Sequence, residues 1–474
     1  MAHTLVGRRA IRAALQLLFG RIIAVYFREI EIAGEVPPPG TGGRLFAGNH
    51  VNGLVDPILV LTQAPCPISP IAKSTLWKIP GLSWLLDAAD AVPIKRKRDD
   101  PNKSVQENDA VFERIAAHLG GGGNILIFPE GTSHNEPRLL ALRSGAGRML
   151  AQARADGASG LTVQAVALEF DARDIFRSRA LVLFGPVRDV DAIVGASTDV
   201  DVAAKAITEV IRDDLSELLV EATTWEQRIA LVRAAEMFAN DAHDRSLAHL
   251  NQVGRRIEQA RAVLGASDPE TVQAIETRVA TYWAALEDAG ATDALVARVG
   301  RRARALAAGE DAGDEPRIAS SRIAWAALRI VTIPLALVGM ALWYLPYQVP
   351  RAVTRRLGDD PDVSSTYKLG VGLIVHPLWA ALLVGLAFSR LPVDAAIAAA
   401  LVVVGSPFAA LPWLDRWDRL AARARSLAPS EERRERLAAL AEERAGLMRD
   451  LETARMQVEE RGGSGTAEEQ PKPT

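Results

Sequence analysis

The chain has 474 residues, which exceeds the length at which a single hydrophobic core usually stops growing, so we expect two or three domains. Its formal net charge of -3 and its pI of about 6.2 give no basic field, which argues against a nucleic-acid partner. The single cysteine, Cys66, excludes an internal disulfide framework and a cysteine-rich zinc site, and it fits a reducing compartment.

The first segment, residues 1–36, has the pattern of an amphipathic helix. Apolar residues recur at near-helical spacing between residues 5 and 28, and arginines lie among them. This pattern is typical of a helix that lies on a membrane surface, and the alternative is a helix that packs on its own domain. The run Pro37-Pro38-Pro39-Gly40 then ends the segment.

Residues 37–195 alternate short apolar runs with helical patterns, which predicts an α/β domain with a mixed sheet flanked by helices. The predicted strands are residues 44–47, 68–72, 91–94, 124–128, 162–168 and 181–184. Helices are predicted over residues 105–119 and 141–155.

A polar helical block follows at residues 196–308, and its charges are typical of solvated helix faces. Residues 320–414 then contain three apolar stretches, at 330–349, 369–388 and 395–411, which predict a membrane region of α-helices. The alternative is a buried helical hairpin in a soluble domain. We further predict a charged helix at residues 428–460 and a disordered tail at residues 461–474.

The first apolar stretch raises a question of topology. Arginines before the second stretch and after the third place both ends of that pair on the cytoplasmic side, joined by a short turn at residues 389–394. If the α/β domain is cytoplasmic too, the first stretch cannot cross the bilayer once. Because Pro334, Pro346 and Pro350 flank or interrupt it, we predict that it enters the bilayer and returns.

His50 and Asp56 lie in a turn-rich segment directly after the predicted strand at residues 44–47. Histidine is the usual general base at neutral pH, and a carboxylate that fixes its tautomer makes it more effective. Strand ends are where α/β folds place their sites. We therefore expect the turn to hold both side chains together, although a histidine near a carboxylate is more often structural.

Two further clusters follow predicted strands. Glu130 and Gly131 come after Phe128, and a glutamate there can accept hydrogen bonds from a hydroxylated substrate; a conventional strand-to-helix turn is the alternative. Lys95 and Arg96 begin a run of four cations after the strand at residues 91–94, which fits a phosphate clamp. A solvated loop or a membrane-surface patch is the alternative.

Together these motifs resemble the glycerolphosphate and lysophospholipid acyltransferase family, whose sequence blocks occur here in the same order over residues 40–190. The blocks are Asn49-His50 to Asp56-Pro57, Ala91 to Arg96, Phe128-Pro129-Glu130-Gly131-Thr132-Ser133 and, loosely, Val163 to Leu168. Five residues separate the histidine from the aspartate, where most members have four. This spacing is similar to that of fungal glycerol-3-phosphate and dihydroxyacetone-phosphate acyltransferases, which residues 133–137 and 224–226 also resemble.

The resemblance implies a mechanism in which His50 removes the proton from an acceptor hydroxyl while Asp56 stabilises the imidazolium. It implies substrate contacts from residues in all three specific blocks: Asn49, Lys95, Arg96, Glu130, Gly131, Thr132 and Ser133. Acyl-CoA or acyl carrier protein is the expected co-substrate, with no cofactor and no metal. The expected partners are a phosphorylated glycerol or lysophospholipid and the lipid bilayer.

The expected location is the inner (cytoplasmic) membrane, with the catalytic domain on its cytoplasmic face. Within the same class, acylation of 1-acylglycerol 3-phosphate (lysophosphatidate) is an alternative to acylation of glycerol 3-phosphate. Two alternatives belong to other classes. A thioester hydrolase would use His50 to activate water or Ser133, although the chain lacks a Gly-x-Ser-x-Gly elbow. An inactive lipid-binding membrane protein would use neither residue.

Overall fold

The structure is a computed structural model that describes residues 2–79, 81–94, 106–308, 320–357, 360–426 and 430–464. The chain forms two compact units, which are described one at a time. Unit 1 comprises residues 1–228, 246–255 and 360–366, and unit 2 comprises residues 229–245, 256–359 and 367–474.

Unit 1 contains a mixed sheet flanked by helices, as the sequence predicts. Its strands are β1 (Glu29–Gly34), β2 (Arg44–Gly48), β3 (Ser69–Lys73), β4 (Val92–Ile94), β5 (Ile125–Ile127), β6 (Thr162–Phe170) and β7 (Arg179–Asp189). Their order across the sheet is β1-β7-β6-β2-β5-β3-β4. In this order β2 lies between β6 and β5, in the middle of the sheet. The β6-β7 pair is antiparallel, and the other neighbouring strands are parallel.

Strand β1 corrects the prediction that residues 1–36 form a helical segment throughout. The helix ends at Tyr26, and Glu29–Gly34 pairs with β7 along its whole length. The physical reason is visible in Glu29-Ile30-Glu31-Ile32, which alternates polar and apolar residues with the period of a strand.

The helices of unit 1 are α1 (Ala2–Tyr26), α2 (Val55–Gln63), α3 (Leu82–Ala88), α4 (Gln106–Gly120), α5 (Gly145–Ala155), α6 (Val190–Val194) and α7 (Val200–Leu218), together with the first residues of α8 (Trp225–Ala242) and α9 (Leu247–Ser267). One face of the sheet packs on α4, α5 and α7 through residues such as Leu45, Ile115 and Leu150. Phe46 and Phe184 alternate with these along the strands and are buried too. Both faces are therefore covered, which explains the continuous apolar runs of the central strands.

Helix α1 packs on its own domain along one side. Ile23 and Tyr26 are buried, and Gln16 donates to the carbonyl of Leu61 at 3.0 Å. Its other side leaves Leu17 and Leu18 exposed, at 65% and 53%. The packed helix is thus observed, and contact of the exposed side with a membrane stays a prediction.

Unit 2 contains most of α8 and α9, together with α10 (Pro269–Asp288) and α11 (Asp293–Ala307). The later helices are α12 (Ser320–Leu357), α13 (Pro361–Arg390), α14 (Val393–Ser426) and α15 (Glu431–Ser464), with the first turn of α13 in unit 1. The charged helix α15 buries its leucine stripe, including Leu440 and Leu447, against Tyr282 and Val296. The predicted disordered tail begins too early, because α15 continues through residues 461–464. Residues 309–319, before α12, and residues 465–474 lie outside the described residues.

A buried ionic cluster joins α8, α11 and α15. The Arg444 side chain is 4% exposed and donates to both carboxylate oxygens of Asp293, to Asp241 and to the carbonyl of Met237. Tyr282 donates to Asp293 at 2.7 Å, and its burial raises its pKa. Buried polar groups that are all hydrogen-bonded make a core more rigid, and loss of one partner leaves the charge of another buried and unpaired.

We expect Arg444→Lys to lower the free energy of unfolding by about 1 to 3 kcal/mol, because one ammonium cannot replace the planar set of donors that the guanidinium offers. Chemical denaturation followed by circular dichroism measures the change. Arg434→Lys, at an exposed position of the same helix, is the matched control and should be neutral. Equal stability of the two variants would contradict this account of the cluster.

Three helices among the described residues are long and apolar enough to cross a membrane, with candidate spans at Thr332–Leu357, Pro361–Arg390 and Val393–Asp415. The short turn predicted between the second and third is present, because α13 ends at Arg390 and α14 begins at Val393. The predicted re-entrant path of the first is wrong. Residues 320–357 form one continuous helix that contains all three prolines, and a helix without a reversal cannot enter and return.

Candidate active site

His50 and Asp56 meet at the carboxyl end of β2. The strand ends at Gly48, a loop of residues 49–54 (the His50 loop) follows, and Asp56 lies in the first turn of α2. The distance from His50 Nδ1 to Asp56 Oδ2 is 3.0 Å. The sequence predicts a turn around both residues, whereas the structure has a helix that begins at Val55. That helical start directs Asp56 back to His50 across the five intervening residues.

The Asp56 carboxylate is fully buried and is held by more than the imidazole. Its Oδ2 also accepts hydrogen bonds from the main-chain N–H groups of Val51, at 2.8 Å, and Asn52, at 2.7 Å. These donors stabilise the negative charge and fix the orientation of the carboxylate. Since an ionised Asp56 accepts the proton on Nδ1 of His50, Nε2 is the nitrogen that carries the free lone pair.

The His50 ring lies on the ring of Phe128, the residue that follows β5. Their centroids are 4.3 Å apart and their planes differ by 17°. A side chain at Gly48 would place its Cβ 2.9 Å from the Phe128 ring, so the stacking requires glycine there. Because β2 and β5 are parallel neighbours, their carboxyl ends bring the His50 loop beside residues 128–134, the Glu130 loop.

Glu130 joins the two loops from inside the protein. Its side chain is fully buried. Oε1 accepts from the main-chain N–H of His50 at 2.7 Å, while Oε2 accepts from the N–H of Leu140 at 2.9 Å and from Nε2 of His134. The main-chain N–H of Glu136 donates to His134 Nδ1, which fixes the tautomer with hydrogen on Nε2. This geometry favours a role for Glu130 in positioning His50 over direct contact with an acceptor.

The other predicted substrate-binding residues fall into three groups. Asn49 is buried, and its amide makes two hydrogen bonds with the main chain of Leu168. Ser133 Oγ donates to Asp362 Oδ2 at 2.6 Å, and Thr132 Oγ1 donates to the carbonyl of Ser133 at 3.2 Å. Lys95 and Arg96 lie outside the described residues, so the phosphate clamp stays a prediction.

Gly131 has a φ of 77°, in the region that favours glycine. A Cβ at this position would approach Arg143 Nε to 2.6 Å. Arg143 is exposed, and its main-chain N–H donates to the carbonyl of Pro129 at 2.8 Å. A cation that the sequence analysis missed, Arg143, therefore lies beside the Glu130 loop, close to the position where a substrate glycerol is expected.

A cavity of about 410 Å³ lies beside the site, within unit 1. Its lining includes residues 134–137 and Trp225, which belong to the two motifs that resemble the fungal enzymes. The Trp225 indole donates to the carbonyl of Asn135 at 3.0 Å, and the Arg173 guanidinium lies 5.4 Å from the centre of the Trp225 ring. Burial lowers the pKa of Arg173. The fold thus brings two motifs 90 residues apart to one cavity wall.

The site also includes residues that the sequence analysis did not assign to it. Asp362 in the first turn of α13 contacts the Glu130 loop, and Thr366 in the second turn contacts the His50 loop. The sequence Asp360-Pro361-Asp362 is typical of the start of a helix, but no local pattern predicts a contact between residues roughly 300 positions apart.

Among the described residues, no group of three or more His, Cys, Asp and Glu side chains could hold a metal ion.

The fold places the His50–Asp56 pair at the carboxyl edge of an α/β sheet, and a histidine held by a buried carboxylate is an arrangement that can carry acid–base chemistry. A family model described as Acyltransferase matches residues 29–169, which cover β1 to most of β6 and contain the pair. Residues 29–169 therefore match the acyltransferase family.

Three relatives illustrate the similarity. The lyso-ornithine lipid O-acyltransferase of Pseudomonas aeruginosa is 31% identical over 32% of this chain and 51% of its own length. Glycerol-3-phosphate O-acyltransferase 2 of Saccharomyces cerevisiae is 36% identical over 19% of this chain and 12% of its own. The chloroplastic 1-acyl-sn-glycerol-3-phosphate acyltransferase LPAT1 of Arabidopsis thaliana is 28% identical over 29% of this chain and 37% of its own length.

The chain thus spans about half the length of the first of these relatives and less of the other two. A solved structure of the 1-acyl-sn-glycerophosphate acyltransferase PlsC from Thermotoga maritima is 17% identical and covers 46% of this chain and 83% of that one. Its TM-score of 0.33 is too low to establish a shared fold.

Proposed function

We propose that this chain is a membrane-bound O-acyltransferase of phospholipid synthesis. It moves a fatty acyl group from acyl-CoA, or from acyl carrier protein, to the hydroxyl of glycerol 3-phosphate or a related phosphorylated glycerol. The observation that carries the proposal is the 3.0 Å contact between His50 Nδ1 and a buried Asp56, inside a domain of the acyltransferase family. That contact leaves Nε2 as a base.

The proposed reaction needs two proton transfers, one from the acceptor hydroxyl to His50 and one from His50 to the leaving thiolate. His50 Nε2 takes the proton of the acceptor hydroxyl as its oxygen attacks the thioester carbonyl. Asp56 stabilises the imidazolium through the hydrogen bond to Nδ1. The tetrahedral intermediate then collapses, the carbon–sulfur bond breaks, and the leaving thiolate takes the proton from Nε2. The products are an ester and a thiol, and no serine nucleophile, metal or cofactor takes part.

The acceptor hydroxyl has to be held near Nε2 of His50, and the phosphate is the group of the acceptor that cationic side chains can bind most strongly. Lys95 and Arg96 are the proposed clamp, and Arg143, next to Gly131, adds a described cation beside the Glu130 loop. Gly131, Thr132 and the carbonyl groups of the loop are proposed to orient the glycerol. Acylation of 1-acylglycerol 3-phosphate is the alternative within the class, because the same headgroup chemistry serves both acceptors.

We propose that the enzyme resides in the inner (cytoplasmic) membrane with its catalytic domain on the cytoplasmic face. Two of the candidate spans, Pro361–Arg390 and Val393–Asp415, support residence in a bilayer as a hairpin with both ends on the cytoplasmic side. The lone thiol of Cys66 is buried and fits a reducing compartment. A membrane location also suits the chemistry, since the acylated product is a lipid that partitions into the bilayer.

An acceptor panel tests the proposed substrate class. The purified full chain in phospholipid nanodiscs is supplied with radiolabelled acyl-CoA or acyl carrier protein. Glycerol 3-phosphate, dihydroxyacetone phosphate, 1-acylglycerol 3-phosphate and lyso-ornithine lipid are the acceptors. We expect a labelled product with a phosphorylated glycerol and at least tenfold less with lyso-ornithine lipid, which lacks the phosphate. Preference for lyso-ornithine lipid would overturn the proposed recognition of a phosphate group. The absence of product with every acceptor would overturn the proposed acyltransferase function.

A further inference from the structure

The first turn of α13 is built into the candidate active site. Residues 360–366 belong to unit 1, although the rest of this apolar helix does not. Ser364 and Ser365 in this segment are 6% and 0% exposed. A buried hydroxyl needs a hydrogen-bond partner, and the hydroxyl of Ser365 has one in the main-chain carbonyl of Arg173.

Thr366 contacts the start of α2, the helix that carries Asp56. Its Oγ1 accepts from the main-chain N–H of Leu54 at 2.9 Å. Leu54 is the residue that precedes α2, and its own side chain offers no capping group. Gly53 makes the approach possible, because a Cβ at that position would lie 2.5 Å from Thr366 Oγ1. Thr366 therefore fixes the junction between the His50 loop and α2 from a point 312 residues away.

Asp362 and Ser365 make the corresponding contacts with two other segments. Asp362 Oδ2 accepts from Ser133 Oγ on the Glu130 loop at 2.6 Å. Ser365 Oγ donates to the carbonyl of Arg173 at 2.6 Å, and Asn52 of the His50 loop donates to the same oxygen at 3.1 Å. The start of one helix thus ties together three loops around His50.

We propose that Thr366 and Asp362 are positioning residues of the acyl-transfer site, so that the start of an apolar helix sets the alignment of His50 with Asp56 and with the Glu130 loop. This inference rests on the proposed function and deepens it. Neither residue needs to touch substrate. Their effect follows because displacement of the reacting groups by about 1 Å can cost roughly 100-fold in rate.

The Thr366 contact is tested with a pair of variants. Thr366→Val keeps the shape and removes the acceptor for Leu54 N–H, whereas Thr366→Ser keeps the hydroxyl. We expect the first to lower kcat about tenfold with little change in the KM for the acceptor, and the second to restore kcat to within about twofold of wild type. Ser389→Ala, at the far end of α13, is the control, because the one described hydrogen bond of the Ser389 side chain is to Leu386 of its own helix.

An unchanged kcat in Thr366→Val, or a Thr366→Ser variant as slow as Thr366→Val, would overturn the role of this residue. A second readout does not depend on activity. Amide hydrogen exchange over residues 50–60 should become faster in Thr366→Val and stay unchanged in Thr366→Ser and Ser389→Ala. If the wild-type chain transfers no acyl group at all, the proposed function fails, and the exchange data still decide whether α13 orders the His50 loop.

A double-mutant cycle tests the Asp362 contact. Ser133→Ala, Asp362→Ala and the double variant are compared by kcat/KM for the acceptor. If Ser133 acts through Asp362, the double variant should be no slower than the slower single variant, within about twofold. If Ser133 instead contacts the acceptor, the two effects should multiply, and that result would overturn the positioning role of Asp362.

Discussion

His50→Ala should reduce kcat for acyl transfer by about 10³-fold, because the reaction loses the base that takes the acceptor proton. The expected KM for the thioester donor stays within about threefold of wild type, since the imidazole is assigned no role in donor binding. The His50 side chain is 14% exposed and makes one side-chain hydrogen bond among those described, to Asp56. Steady-state rates with saturating donor and acceptor, in nanodiscs, measure the loss.

The control for this variant is His243→Ala. His243 is exposed and lies in unit 2, and its only described side-chain bond is to the carbonyl of Asp241. It should keep wild-type activity. Thermal unfolding should show that His50→Ala is folded, with a midpoint close to that of wild type. Retention of more than a tenth of wild-type kcat in folded His50→Ala would contradict the assignment of the base.

Glu130→Ala should lower the free energy of unfolding by about 3 to 5 kcal/mol and kcat by about 100-fold. It removes a fully buried carboxylate that three donors share, which leaves the N–H groups of His50 and Leu140 unsatisfied and frees the His50 loop to move. Glu130→Gln should be milder in both respects, because the amide oxygen can still accept from one of these groups. Chemical denaturation and steady-state kinetics measure the two effects.

The kinetic split distinguishes two roles for Glu130. A positioning carboxylate predicts that Glu130→Gln lowers kcat and leaves the KM for the acceptor within about twofold. Direct contact with the acceptor predicts a raised KM without loss of stability, and this outcome would contradict the geometry described above. Glu209→Gln, at an exposed position of α7, serves as the control for the loss of a surface carboxylate.

The sequence predicts the sheet well because buried parallel strands have a strong local signature. Each of the six predicted strands has a counterpart, since continuous apolar runs bounded by turns have few other interpretations. Strand β1 is not predicted, because the helical pattern with arginines extends to Arg28 and only four residues after it, Glu29 to Ile32, alternate between polar and apolar. Helix α2 was missed for a similar reason: Asn52, Gly53 and Pro57 are turn residues, although proline is also favoured in the first turn of a helix.

The candidate site is only partly predictable for a different reason. His50 and Asp56 are six positions apart, so a local pattern is enough to pair them. The inward orientation of Glu130 depends on Leu140 and His134, and the anchoring of Leu54 depends on Thr366. Such contacts arise from tertiary packing between segments that are distant in the chain, and no periodicity or motif spacing reports them.

The most direct test of the central claim is an acyl balance with and without acceptor. The full chain in nanodiscs is incubated with labelled acyl-CoA, and both free fatty acid and acylated acceptor are quantified. Transfer predicts that label leaves the thioester rapidly only when a phosphorylated glycerol is present, and that more than nine-tenths of it appears as ester. Equal release of free fatty acid with and without acceptor would show a hydrolase and would contradict the assignment of His50 as the base for an acceptor hydroxyl.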